Sequence, residues 1–279
     1  KYDADNSSNN TLSTITSDTF DPSNPPKSWS VPSASNLEMI WVEPGTFTMG
    51  SPTSEAGRNS SETQHQVTLT RGFYLGKYEV TQAQYEAVMS GNSDGLSATP
   101  SNWSNNPNRP VEKVSWNDIQ VFLTRLNAKE SSNLPTGWSY VLPTEAQWEY
   151  ACRAGTTTAY SWGNTISSTN ANYSYNIGET QDVGQYSPNP WGFYDMHGNV
   201  LEWVADWYGR YDSYAVTDPT GPASGPYLVG SYRVLRGGSW GSVGANLRSA
   251  KRNHDTPGAR PNSIGFRVGF QAVKPDGAN

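Results

Sequence analysis

The stretch RGGSWGSVGANLRSAKRNHDTPGARPNSIGFRV, Arg236 to Val268, decides how this chain reads. Its ends and middle, RGGSW, NLRSA and IGFRV, carry arginines, paired glycines and large apolar residues of the kind that hold a backbone in place. Between them GSVGA, NHDT, GA and PNS follow neither the two-residue alternation of a strand nor the 3.6-residue period of a helix. The mixture reads as a frame with exchangeable contents. Trp240, Leu247, Ile264, Phe266 and Val268 are expected in the core, and Arg248, Arg252, Arg260 and Arg267 as hydrogen-bonding braces. Gly237, Gly238 and Gly265 suit tight backbone approaches.

Upstream, three helix starts are legible. Thr81 precedes QAQYEAVMSG, Ser115 precedes WNDIQVFLTRLNAKE, and Thr144 precedes EAQWEYACRAG. Each supplies a capping hydroxyl. On the third helix Trp148, Ala151 and Cys152 share a side, so Cys152 is expected to pack rather than react. MIWVEPGTFTMG reads as a hairpin around Pro44-Gly45, and HQVTLT, GFYLGKYEVT and IGFRVGFQAV read as strands. The region from Gly155 to Gly225 is rich in Tyr, Trp, Gly, Asn and Pro, with few regular runs.

Composition agrees with a loop-rich chain built on rings: 279 residues with 11 Trp, 16 Tyr, 26 Gly and 19 Pro, and a mean hydropathy of −0.69. The net charge of −6 and the lack of basic runs argue against nucleic-acid binding. A lone cysteine excludes an internal disulfide and a thiolate metal cluster. Residues 1–37 are Ser-, Asn-, Asp- and Pro-rich and are expected to be a polar flexible tail. Such a tail suits a tether behind a lipid-modified N-terminus at a cell surface. Residues 38–279 are expected to form one α+β domain.

The segments WVEPGTFTMGS, YEVTQAQYEAV, RPVEKVSWNDIQVFLTRLN, YVLPTEAQWEYACRAG, NPWGFYDMHGNVLEWVADWY, RVLRGGSW and NSIGFRVGF together resemble the formylglycine-generating-enzyme, or sulfatase-modifying-factor, branch of the C-type lectin fold. The resemblance implies a small antiparallel sheet with flanking helices and long irregular loops. Enzymes of that branch use two cysteines shortly after the GGS[WY] motif, to bind copper and handle the substrate thiol. Here Gly241 to Leu247 contain none, and Ser, Asn or Leu cannot replace a Cu(I) thiolate. An iron-dependent relative would need clustered histidines, yet His65, His197 and His254 are far apart and form no H-x-x-x-H. No nucleophile elbow is present either. These absences point away from an enzyme. The branch also carries calcium, and HGNVLEW matches its N-x-x-E-W segment. That match implies Asn199, the Val200 carbonyl and Glu202 as ligands of a structural ion. The loop SYNIGETQDV looks too short for a second ion, and no cofactor is required.

The spacing RVLRGGSW–x–LRSA–x–R–x–P–x–R–x–IGFRV also resembles the variable region of proteins diversified by retroelements. In those systems template adenines are randomised, so Asn codons vary while keeping a pyrimidine, which excludes Lys, Glu, Gln, Met and Trp. The unpatterned residues obey that rule: Gly241, Ser242, Val243 and Ala245; Asn253, His254, Asp255 and Thr256; then Gly258, Ala259, Pro261, Asn262 and Ser263. Asn246 and Lys251 are left open. These positions are expected to form a binding surface, since recognition residues sit on loops of a rigid scaffold. Trp207, Tyr208, Tyr211, Tyr214 and Tyr227 could add aromatic contact area. His254 and Asp255, adjacent in a loop, are not read as an acid–base pair. The expectation is a non-enzymatic, surface-displayed, monomeric receptor or adhesin for a macromolecular or glycan ligand. The alternatives are a sulfatase-modifying-type enzyme acting without the cysteine pair, and an invariant structural lipoprotein.

Overall fold

The computed structural model describes residues 21, 24–104, 106–224 and 231–273. The elements run in the order β1 (Ser28–Val31), β2 (Leu37–Val42), β3 (Gly45–Met49), β4 (His65–Leu69), β5 (Phe73–Gly76), α1 (Gln82–Met89), α2 (Trp116–Lys129), β6 (Trp138–Val141) and α3 (Glu145–Arg153). They continue through β7 (Leu201–Trp207), β8 (Val216–Thr217), β9 (Arg233–Arg236), β10 (Asn253–Asp255), β11 (Ile264–Phe266) and β12 (Gly269–Ala272). This is an α+β fold with few helices, small sheets and long loops, and among the described residues no helix is long and apolar enough to cross a membrane.

The three helices begin where the hydroxyls predicted. Thr81, Ser115 and Thr144 each accept the amide of the residue three positions on, and Gln84, Asp118 and Gln147 return the bond to complete capping boxes. A five-stranded antiparallel sheet, ordered β1-β2-β5-β12-β6, joins both ends of the domain. A four-stranded sheet, β10-β9-β7-β11, carries the C-terminal segment, with β11 parallel to β7. The third sheet is β3-β4-β8.

Three expectations change. The domain begins before residue 38, because Trp29, Val31 and Ala34 are buried and β1 pairs with β2. Apolar side chains are few in this polar stretch, but Trp29 and Val31 alternate inward along β1 and Ala34 packs from the turn that follows. The rest of the expected tail lies outside the described residues. MIWVEPGTFTMG is no hairpin: β2 and β3 belong to different sheets, the chain crossing between them at Pro44. IGFRVGFQAV likewise breaks into β11 and β12 at Arg267–Val268, both of which are buried. One core packs Trp29, Tyr74, Tyr85, Phe122, Trp203, Phe266 and Phe270 between the five-stranded sheet, α1 and α2. A second gathers Phe73, Leu75, Trp148, Cys152, Phe193 and Val234 around α3.

Candidate functional site

The segment 236–268 contains five arginines, and every one ends on a carboxylate from outside it. Arg236 meets Glu149 and, at 3.5 Å, Glu145. Arg248 reaches Glu55 and grips both oxygens of Glu62, at 2.8 and 2.9 Å. Arg252 holds both oxygens of Glu145 at 2.7 Å, and Arg260 holds Asp118 at 2.6 and 2.7 Å. Arg267 holds Glu202 at 2.7 and 2.8 Å. All but Arg260 are buried. Spare N–H groups bond backbone carbonyls: Arg236 takes those of Ser249, Ala250 and Lys251, and Arg252 takes that of Gly209.

Helix α3 explains much of this clamp. Glu145 and Glu149 lie four residues apart, hence on one face, and present their carboxylates to Arg252 and Arg236. Asp118 serves twice, as the returning partner in the α2 capping box and as the anchor of Arg260. Burial alone would raise the acids' pKa values, yet those of Glu62, Glu145 and Asp118 are lowered. Arg248, Arg252 with Arg236, and Arg260 respectively outweigh the desolvation. Two glycines close the frame. A Cβ at Gly238 (φ +75°) would sit 2.6 Å from a Leu247 methyl, and one at Gly265 would sit 2.5 Å from the Val111 carbonyl oxygen.

None of the unpatterned residues between these anchors is buried. Val243, Ala245, Asn253, His254, Thr256 and Gly258 are exposed, and Gly241, Ser242, Asp255, Ala259, Pro261, Asn262 and Ser263 are half-buried. Backbone bonds carry the first loop: the Ser174 amide donates to the Ser242 carbonyl and the Tyr175 amide to that of Trp240, both at 2.8 Å. Ser242 Oγ also accepts the Ser239 amide. A small crevice of about 10 Å³ is lined by two of the unpatterned residues, Ser242 and Asn253, together with Asn246, Lys251, Leu201, Leu235, Gly237 and Gly238. Ser263 adjoins it through its carbonyl, which takes the Leu201 amide, while the Asn262 carbonyl takes Trp240 Nε1. Other members point elsewhere. On β10, His254 faces away from Asn253 and packs its ring on Tyr208 and Tyr232, 4.2 and 4.8 Å between centroids. Thr256 to Ala259 run beside the start of α2, where the Asn117 amide reaches the Pro257 carbonyl.

Trp240 is not core, as the sequence reading had it. It stands half-buried at the rim, edge-on to Trp103 and Tyr175 at 5.0 and 5.3 Å. Trp103 and Tyr175 come from distant loops; the aromatic-rich stretch from Gly155 to Gly225 points toward Tyr175, and no signal in the sequence points to Trp103. Of the aromatics singled out in the sequence, Tyr208 touches the segment through His254. Trp207 is covered by Arg233, Tyr211 lies on Arg252, and Tyr214 is 65% exposed further away. Tyr227 lies outside the described residues.

The side chains implied as calcium ligands, Asn199 and Glu202, do not fit an ion. Asn199 Oδ1 already accepts the Gln181 amide at 2.9 Å and Asn172 Nδ2 at 3.3 Å, while its Nδ2 donates to Glu79. The Val200 amide donates to the same Glu79. Both oxygens of Glu202 are taken by Arg267, and Trp148 adds a third donor. A guanidinium thus supplies the positive charge that a cation would bring. Among the described residues no group of three or more His, Cys, Asp or Glu could hold a metal.

Cys152 lies 3.5 Å from His197 Nε2, but the pair is inert in this arrangement. Burial pushes the thiol up to about 12 and the imidazole down to about 4. The His197 ring donates from Nδ1 to the Leu247 carbonyl and accepts the Ser161 amide at Nε2. Neither group is a free base or nucleophile.

Comparison with known proteins defines the class. The chain matches the sulfatase-modifying factor enzyme 1-like domain family over residues 26–272 and belongs to that family. Among curated relatives, serine/threonine-protein kinase pkn1 of Chlamydia pneumoniae is 32% identical over 82% of this chain. The chain spans only 37% of that protein's length. The formylglycine-generating enzyme of Mus musculus is 28% identical, over 82% of this chain and 74% of the enzyme. Among solved structures, Treponema denticola variable protein 1 superposes with a TM-score of 0.69 at 28% identity, covering 87% of this chain and 98% of that one.

Proposed function

We propose that this chain is a non-enzymatic ligand-binding protein whose C-terminal segment is diversified by a retroelement. It is displayed at the cell surface on a lipid-anchored N-terminal tether. One observation carries the reading: between Arg236 and Val268 four of the five anchoring arginines are buried and ion-paired to the body, and the unpatterned residues are all at least partly exposed. A surface can change freely only where its side chains do not hold up the fold. The likeness to Treponema denticola variable protein 1 supports the same view. The ligand is a macromolecule or glycan met by a monomer, and the half-buried Trp240 and Trp103 with the exposed Tyr175 give the variable rim an aromatic edge.

The genomic test is direct. A near-copy of the coding sequence for 236–268, differing only at template adenines and lying beside a reverse transcriptase gene, is expected. Its absence removes the diversification claim. For binding, two versions differing only at the unpatterned positions should melt alike and capture different molecules from a glycan and protein screen. The family's enzymes sustain a second reading, catalysis without the cysteine pair. Copper-dependent oxidation of a peptidyl cysteine by the purified chain would establish it.

A further inference from the structure

A separate cavity of about 610 Å³ opens at the far end of β7 from the variable crevice, which sits at Leu201. Met49, Ala146, Val216 and Pro222 give it apolar walls, and Tyr211 adds a ring. At its base lies Asp206, 4% exposed. Asp206 Oδ2 accepts the amide of Glu145 at 2.8 Å, while Oδ1 receives no hydrogen bond from the described residues. Gly221, at φ +71°, arches over the acid, and a Cβ there would lie 3.1 Å from Oδ1. The missing side chain leaves that oxygen uncovered.

The guanidiniums of Arg252 and Arg233 attract the Asp206 carboxylate, but neither makes an ion pair or hydrogen bond with it. Arg252 is spent on Glu145 and the Gly209 carbonyl. Arg233 is sandwiched between Trp116 and Trp207, 3.8 and 3.5 Å from their ring centres, and donates to the Ala205 carbonyl. His65 packs on Tyr211 and meets the Thr63 carbonyl, and Arg210 and Asp212 line the mouth. The Tyr211 hydroxyl, close to the Glu145 carboxylate, makes no hydrogen bond of good geometry. Asp206 is therefore a buried acid with no ion-pair partner among the described residues, set in a cavity whose walls are partly apolar and partly charged. Burial, and then the neighbouring Glu145 charge, push it up to about 7. Buried charges call for a partner.

We propose that this cavity binds a small primary amine with an apolar body, its ammonium on Asp206 Oδ1 and its hydrocarbon against Met49, Val216 and the Tyr211 ring. The site is independent of the variable segment's role. Calorimetric or NMR titration of the full chain with phenethylamine, and with 2-phenylethanol as its neutral counterpart, tests it. The amine should bind saturably at pH 8, at least tenfold more tightly than the alcohol. Amines of this type stay charged up to about pH 10, so the preference should fall about tenfold at pH 6 as Asp206 takes up its proton. Asp206→Asn, which can still accept the Glu145 amide, should abolish the preference while keeping the melting transition. Equal affinities, no saturation, or an unchanged preference in Asp206→Asn would overturn the proposal. If Asp206→Asn does not fold, the amine–alcohol comparison and its pH dependence in the unaltered chain decide. Substituting Asn253 or Val243 should leave amine binding unaffected.

Discussion

Replacing Arg248 with Met removes a guanidinium that is 2% exposed and touches Glu55, both oxygens of Glu62, and the Gly57 and Ala245 carbonyls. Glu62 is fully buried and keeps only Ser51 Oγ and the Asn59 amide as donors. Stripping one partner from a buried pair costs about 3–5 kcal/mol, because the other charge is left uncompensated. For a domain of this size that lowers Tm by roughly 6–20 °C. The penalty depends on pH. In the intact chain Glu62 is held low, so its pairing stabilises above its unfolded pKa of about 4.3 and is lost as the medium acidifies below it. Without Arg248, burial raises Glu62 instead, and protonation relieves the cost. The difference between variant and parent should therefore be largest at pH 7 and shrink toward pH 4. Urea unfolding followed by tryptophan fluorescence measures both. The control replaces Val243, Asn253, His254 and Thr256, all exposed, each expected within about ±0.5 kcal/mol. A cost below about 1 kcal/mol for Arg248→Met, or an equal cost for the surface set, would refute the division between frame and contents.

Trp240→Ala should cost under about 2 kcal/mol, less than the roughly 3–5 of a core aromatic, since the ring is half-buried; a larger loss in denaturant melts would return it to the core. Gly265→Ala should block folding or cost about 1–3 kcal/mol by overpacking, because its Cβ meets the Val111 carbonyl at 2.5 Å; a native-like melt would contradict that contact. Burial raises Asp206 to about 7 and Asp195 to about 6, so the folded state holds protons that the unfolded chain has released. Their contribution to stability should fall as pH rises from about 4 to about 7, so the stability of Asp206→Asn relative to the parent should rise over that range in a series of urea midpoints. Calcium or a chelator should leave Tm unchanged, given the hydrogen bonds and ion pairs already filling Asn199 and Glu202; a calcium-dependent rise would show that those bonds yield to an ion.

The helix starts were legible because a capping box needs only residues three apart. Thr81, Ser115 and Thr144 announce their helices without help from the rest of the chain. The frame within 236–268 was also legible, since arginine, glycine and apolar residues recur there where the intervening stretches have no period. What the sequence left open is long-range. Nothing local says that Arg248 will meet Glu62 across 186 positions, or that Glu145 and Glu149 will face Arg252 and Arg236. The pairing of β2 and β3 into different sheets also follows from which partner strands bury their faces, not from the turn between them. Trp240 shows the limit most clearly. Its identity predicted a core residue, but exposure is a property of the neighbours, and here those are Trp103 and Tyr175 at a rim. The sequence by itself determined the family, the helices and the split between anchored and loose residues. The tertiary structure alone decided which carboxylates anchor the frame, which loose residues share a crevice, and that Asp206 lies open at the bottom of a second cavity, because each depends on contacts between residues far apart in the chain.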